Sequence, residues 1–254
     1  MERAILRNAV IEYQRLGTGQ PLVLLHGFPL DSGVWELILP LLEHQFEIII
    51  PNLRGFGKSE SRTSEYSLSN MADDVADLLD HLGLEKSIIA GHSMGGYIAL
   101  AFARSYPDRL LGLGLISSQV IADPPERRES RYQTAVQVEE FGMESLANHM
   151  AEPLTSDPAQ RAKSLEIILR QSTKGVLCAL KALAERPDQT TTLKSLETPV
   201  VIVHGDSDLL IPVERAKEMK GLNPNSFLTI IPGAGHMPML EKQAETALAL
   251  LGFL

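Results

Sequence analysis

Short runs rich in Val, Ile and Leu recur along the chain with almost no polar alternation: Leu22–Leu25, Phe46–Ile50, Ser87–Ala90, Leu110–Ile116, Pro199–Val203 and Phe227–Ile231. A strand with one wet face alternates; a run that does not must be covered on both faces, as in a parallel sheet. Helical periodicity fills the gaps between them, at Leu68–Leu82, Met94–Tyr106, Val213–Lys220 and Glu241–Leu250. Alternating strands and helices predict an α/β fold with right-handed crossovers and helices on both sheet faces. Ala4–Leu6 and Val10–Leu16 read as an antiparallel hairpin at one sheet edge.

One stretch breaks this rhythm. From about Gln119 to Gln189 there is no strand-like run, only helical segments punctuated by Pro124-Pro125, Pro153, Pro158 and Pro187. It is expected to be a helical cap, residues 119–189, dividing the core into 1–118 and 190–254. The alternative is a packing extension of the core. The cluster Glu126-Arg127-Arg128-Glu129 reads as a solvated face.

The formal net charge of −9 argues against a nucleic-acid partner, which calls for a surplus of Lys and Arg on one face. Apolar runs such as Ile48–Ile50 and Pro199–Val203 are far below membrane-spanning length, and Met1–Tyr13 lacks the apolar stretch of a signal peptide. Cys178 is the only cysteine, so no intrachain disulfide can form. A cytoplasmic location is the resulting expectation.

The chemistry is concentrated in Gly91-His92-Ser93-Met94-Gly95, which follows the run Ser87–Ala90 and precedes a helical pattern. A strand-to-helix turn this tight strains its central residue, and flanking glycines let neighbouring chain pass close by. Ser93 is the expected nucleophile, held near a helix N-terminus that favours developing negative charge. A phosphate-binding loop would need Lys or a second glycine pattern, and neither is present. His92 is expected to be structural.

Serine needs a base, and the base needs an orienting carboxylate. Val200–His204 ends in Gly205-Asp206-Ser207-Asp208, and Phe227–Ile231 runs into Pro232-Gly233-Ala234-Gly235-His236. The order Ser, Asp, His at the ends of strands is the order expected of a Ser93–Asp208–His236 triad. Asp206 is expected to cap the turn instead. His44, His81, His149 and His204 are expected to have no catalytic role. After Leu22–Leu25 comes His26-Gly27-Phe28-Pro29, where the glycine opens the loop; the backbone N–H groups of Phe28 and Met94 are the expected oxyanion donors. No zinc-spaced ligand set and no dinucleotide fingerprint is present, so no metal or cofactor is expected.

Taken together, Leu25–Pro29, Pro51-Asn52-Leu53-Arg54-Gly55-Phe56-Gly57-Lys58-Ser59, Gly91–Gly96, Gly205–Pro212 and Gly233–Pro238 closely resemble the α/β-hydrolase superfamily. Phe28-Pro29-Leu30-Asp31, Trp35 and Glu185-Arg186-Pro187-Asp188 are most like the small carboxylesterases and the 3-oxoadipate enol-lactonase-like group. Asn52 stands where many relatives carry Asp, at a position that supports a loop. The resemblance implies a mostly parallel eight-stranded sheet, a cap after the sixth strand, and a carboxylic-ester hydrolase acting on a small-molecule ester. A lactonase is the alternative, and a perhydrolase or a non-catalytic ligand receptor ranks lower. Trp35 and Leu30, with Leu146, Met150 and Leu177 from the cap, are the expected substrate wall; ordinary cap core is the other reading of the last three.

Overall fold

The computed structural model describes residues 1–254. Its strands are β1 (Glu2–Ile5), β2 (Ala9–Gly17), β3 (Gln20–Leu25), β4 (Phe46–Pro51), β5 (Glu60–Ser61), β6 (Ser87–His92), β7 (Leu110–Ile116), β8 (Val200–Gly205) and β9 (Phe227–Ile231). They form one sheet in the order β1-β2-β4-β3-β6-β7-β8-β9, with β5 paired to β2. The β1–β2 hairpin and the β2–β4 pair are antiparallel, and every pairing from β4 to β9 is parallel. The nine-stranded count exceeds the expected eight because of β5, a two-residue polar strand that carries no hydrophobic pattern. β6 and β8 are buried at every position, which accounts for their unalternated sequences.

The helices are α1 (Leu39–Leu42), α2 (Leu68–His81), α3 (Met94–Ser105), α4 (Pro125–Leu154), α5 (Pro158–Leu169), α6 (Thr173–Ala184), α7 (Thr190–Ser195), α8 (Glu214–Leu222), α9 (Pro238–Glu241) and α10 (Gln243–Leu250). α2 starts where Ser67 and Asn70 exchange side-chain and backbone hydrogen bonds in a capping box. None is long and apolar enough to cross a membrane. α4 to α6 lie between β7 and β8, in the stretch whose sequence lacks strands.

The chain leaves β3 for β4 on one side and returns to β6 on the other, so the strand order reverses between β3 and β6. In open α/β sheets the crevice at the carboxyl ends of the strands flanking such a reversal is where ligands bind. Two loops meet there, the one after β3 and the one after β6, with Leu25 paired to Gly91 in register.

α4 is bent at Gly142, whose φ of 75° and ψ of −172° lie in a region essentially closed to other residues. In a straight helix Arg127 and Met150 would stand about 35 Å apart. The bend lets both halves of α4 reach one cavity above the sheet.

Candidate active site

Ser93 occupies the turn between β6 and α3 with φ 51° and ψ −112°, the strained conformation expected of the central residue. The turn is fixed by hydrogen bonds from Ser93 N to Ile116 O (2.9 Å), from Gly96 N to Ser93 O (2.9 Å) and from Ser118 Oγ to Ser93 O (3.0 Å). A Cβ on Gly91 would lie 2.1 Å from the Gly95 carbonyl, and one on Gly95 would lie 2.3 Å from Leu25 O. Both glycines are therefore demanded by backbone packed against backbone, not by chance composition.

Asp208 and His236 come from the loops after β8 and β9 and are both buried. His236 Nδ1 lies 2.8 Å from Asp208 Oδ2, while Asp208 Oδ1 accepts from Leu210 N (2.8 Å) and Ile211 N (3.0 Å). Burial pushes the Asp208 carboxyl up. The His236 ring, its hydrogen bond and the Ile211 N–H outweigh that and hold it below the usual carboxylate range. With Nδ1 donating to a carboxylate, Nε2 of a neutral His236 carries the lone pair. Asp206 Oδ1 instead accepts from Gly233 N (2.7 Å), tying the two loops together as a turn cap.

Two further histidines support this pair. His92 is fully buried, its ring centroid 4.8 Å from that of His236, and its Nε2 donates to His236 O (2.8 Å). His204 is also fully buried; its Nε2 donates to Ile211 O (2.8 Å) and stands 3.4 Å from Asp208 Oδ2. Burial pushes both rings' pKa values down and so favours their neutral forms.

The loop after β3 is anchored by His26, whose Nε2 accepts from Leu53 N (2.9 Å) and whose Nδ1 faces Gly27 O at 2.9 Å. A Cβ on Gly27 would fall 3.1 Å from Ser93 Cβ and 2.5 Å from His92 Nδ1, so this backbone runs directly against the Ser93 turn. The Phe28 N–H has no acceptor within the chain. Met94 N–H opens α3, where first-turn amides lack intrahelical acceptors. Asn52 accepts from Ser32 N (2.8 Å) and donates to Glu12 Oε2 (2.6 Å), which supports the neighbouring loop.

Ser93, His236, Phe28 and Met94 share the wall of one cavity of about 190 Å³. Leu146 and Met150 line it from α4, as expected. The remaining wall candidates do not. Trp35 and Leu30 are fully buried in the core, and Leu177 is half-buried against it, away from the cavity. Trp35 lies in the 3-10 turn Ser32–Trp35, which points it into the core. Residues not foreseen take their place: Tyr97, Leu180 and Leu183 on the apolar side, Arg127, Ser130, Arg131, Thr134 and His149 on the polar side. The Glu126–Glu129 cluster is exposed, but Arg127 turns its side chain onto the cavity instead of being only a solvated face. The i, i+4 spacing of Arg127 and Arg131 was the signal for a shared helix face. A larger cavity of about 550 Å³, between the 55–66 segment and the start of α6, contains neither Ser93 nor His236.

Residues 20–243 match the family described as alpha/beta hydrolase fold. The chain belongs to the alpha/beta hydrolase family. Its resemblance to individual proteins spans the whole length. It is 32% identical over 263 aligned positions to the dihydrolipoyllysine-residue acetyltransferase component of the acetoin cleaving system of Pseudomonas putida, covering 100% of this chain and 69% of that protein. A thermophilic esterase from Thermogutta terrifontis, solved with malate bound, superposes with a TM-score of 0.95 at 35% identity, over 100% of this chain and 98% of that one. The enol-lactonase of Burkholderia xenovorans superposes with a TM-score of 0.92 over 99% of both chains, but at 20% identity it speaks only for the fold.

Proposed function

We propose that this alpha/beta hydrolase is a carboxylic-ester hydrolase that works through an acyl-enzyme on Ser93 and needs no cofactor. The observation that carries this reading is the buried 2.8 Å contact of His236 Nδ1 with Asp208, on a histidine that shares a cavity wall with the strained Ser93. His236 Nε2 takes the Ser93 proton as Oγ attacks the acyl carbon. The imidazolium that forms is stabilised by Asp208, and it returns the proton to the leaving alcohol. Water, activated by the same nitrogen, then releases the acid. The N–H groups of Phe28 and Met94 hold the oxyanion; each such donor is worth roughly 3 kcal/mol in the transition state.

The segment 119–189 acts in this reading as the substrate-selecting cap. Arg127, Leu146, Met150, Leu180 and Leu183 all reach the cavity from it, whereas Ser93, Asp208 and His236 sit on loops of the sheet. The test is hydrolysis of a panel of p-nitrophenyl esters and simple lactones by the wild-type protein and by Ser93→Ala. Ester turnover that disappears in the alanine variant is the expected result. Undiminished turnover in Ser93→Ala would overturn the assignment, and turnover confined to lactones would move the substrate class to cyclic esters.

A further inference from the structure

The charged side chains on the wall that holds Ser93 are Arg127 and Arg131, beside the imidazoles of His149 and His236; no carboxylate lines it. Their positive charge is not cancelled from behind. Asp123, its side chain fully buried just before α4, faces three guanidinium groups: Arg186 Nη2 at 2.8 Å, Arg131 in a direct hydrogen bond, and Arg127 Nε at 3.7 Å. Burial pushes its carboxyl up, but the guanidinium groups of Arg186 and Arg131 beside it outweigh that and hold it below its usual value, so it is ionised.

One carboxylate offsets one of the three cations, and the buried Arg186 does not line the cavity. Arg186 is 3% exposed, donates to the carbonyls of Leu183 and Ile121, and stacks over the Tyr97 ring at 4.3 Å. The surplus rests on Arg131 and Arg127, which are 15% and 44% exposed and open onto the cavity. In a chain of net charge −9 this positive wall is local and opposite in sign to the whole. A cleft of one sign with apolar walls concentrates ligands of the other sign.

Resting on the ester-hydrolase reading above, we propose that Arg127 and Arg131 form a subsite for a carboxylate carried by the substrate itself. The planar guanidinium fork matches a carboxylate in a way that solvent or a neutral ester group does not. Across the cavity Phe28, Leu146, Leu183 and Ile211 offer an apolar surface for the methylene chain that joins the two ends. Half-esters of small dicarboxylic acids have this chemistry. Their hydrolysis adds one water across the acyl C–O bond and yields the alcohol, the dicarboxylate and a proton.

The experiment compares kcat/KM for monomethyl with dimethyl glutarate, and for γ-acetoxybutyrate with its methyl ester. The first pair places the carboxylate on the acyl side and the second on the alcohol side. The charged member is expected to be preferred in at least one pair, and that pair names the side. Arg127→Gln, which leaves Asp123 with Arg131 and Arg186, should cut the preference roughly fivefold, and Arg127→Glu should reverse it. Glutarate should also raise the melting temperature of the wild-type protein and not of Arg127→Glu, a readout independent of turnover. Neutral esters hydrolysed with no charge preference in either pair and no glutarate shift would refute the arginine subsite alone. A glutarate shift lost in Arg127→Glu, with no ester hydrolysed, would refute the hydrolase reading and leave the anion site standing.

Discussion

Replacing Asp208 by Asn changes one atom and separates two readings of the 205–208 turn. The Asp208 carboxylate spends its two oxygens differently, Oδ1 on Leu210 N and Ile211 N, Oδ2 on His236 Nδ1. An asparagine has one acceptor oxygen. If it stays with the two backbone amides, its NH₂ faces His236 and drives the imidazole to the tautomer with Nε2 protonated, which cannot act as a base. If it flips toward His236, both amides lose their acceptor. His204, whose Nε2–H stands 3.4 Å from Oδ2, opposes an NH₂ at that position but cannot supply the missing acceptor. The same change in other triads lowers turnover by roughly 10⁴, or about 5 kcal/mol of transition-state stabilisation. At Asp206 the Oδ1 bond to Gly233 N survives in an asparagine, so Asp206→Asn should cost less than about tenfold. The assay is kcat on p-nitrophenyl acetate below the melting temperature of both variants. Asp208→Asn within tenfold of wild type, or Asp206→Asn the worse of the two, would show that Asp208 is not the carboxylate that orients His236.

Acid should destabilise the fold before carboxylates titrate. Burial lowers the His26 pKa to about 4 from an ordinary 6.5, and it also lowers those of His92 and His204. Between its folded and unfolded values the unfolded chain binds more protons, so stability falls as pH drops below about 6.5, by roughly 2 kcal/mol at pH 5 from His26 alone. Urea midpoints at pH 7 and pH 5 check this, and equal midpoints would contradict it. On the cavity wall, Met150→Phe should lower the ratio of butyrate to acetate ester hydrolysis by about fourfold or more per displaced methylene. Leu177→Phe, away from the cavity, should leave that ratio where it is; matched ratio changes in the two variants would remove the distinction between wall and cap core.

The parallel sheet was legible because its central strands are buried on both faces and therefore cannot hide behind alternation; Leu110–Ile116 is read to the residue, and so is the edge strand Phe227–Ile231, whose apolar run persists although it is partly exposed. Ser93 was legible because its strain and the crowding at Gly91 and Gly95 restrict which residues can stand there. The pairing of His236 with Asp208 instead of Asp206 followed from loop position, and the structure brings those two together. The wall of the Ser93 cavity was not legible. Which face of α4 looks onto the cavity depends on the bend at Gly142 and on how α4 and α6 pack, and neither leaves a local pattern. Trp35 and Leu30 are large apolar residues beside the site, and nothing in their neighbourhood distinguishes wall from core. Arg127 was hidden in the mixed-charge cluster Glu126–Glu129; the charge it presents depends on Asp123 and Arg186, which lie far apart in the chain.

Everything proposed for the reaction depends on Ser93 being the nucleophile of an acyl-transfer mechanism. The measurement closest to it is covalent capture by a fluorophosphonate, followed by intact-mass and peptide mapping. One adduct per chain, located on Ser93, absent from Ser93→Ala and formed far more slowly in Asp208→Asn, is the predicted result. An adduct on another residue, or labelling that persists in Ser93→Ala, would contradict it.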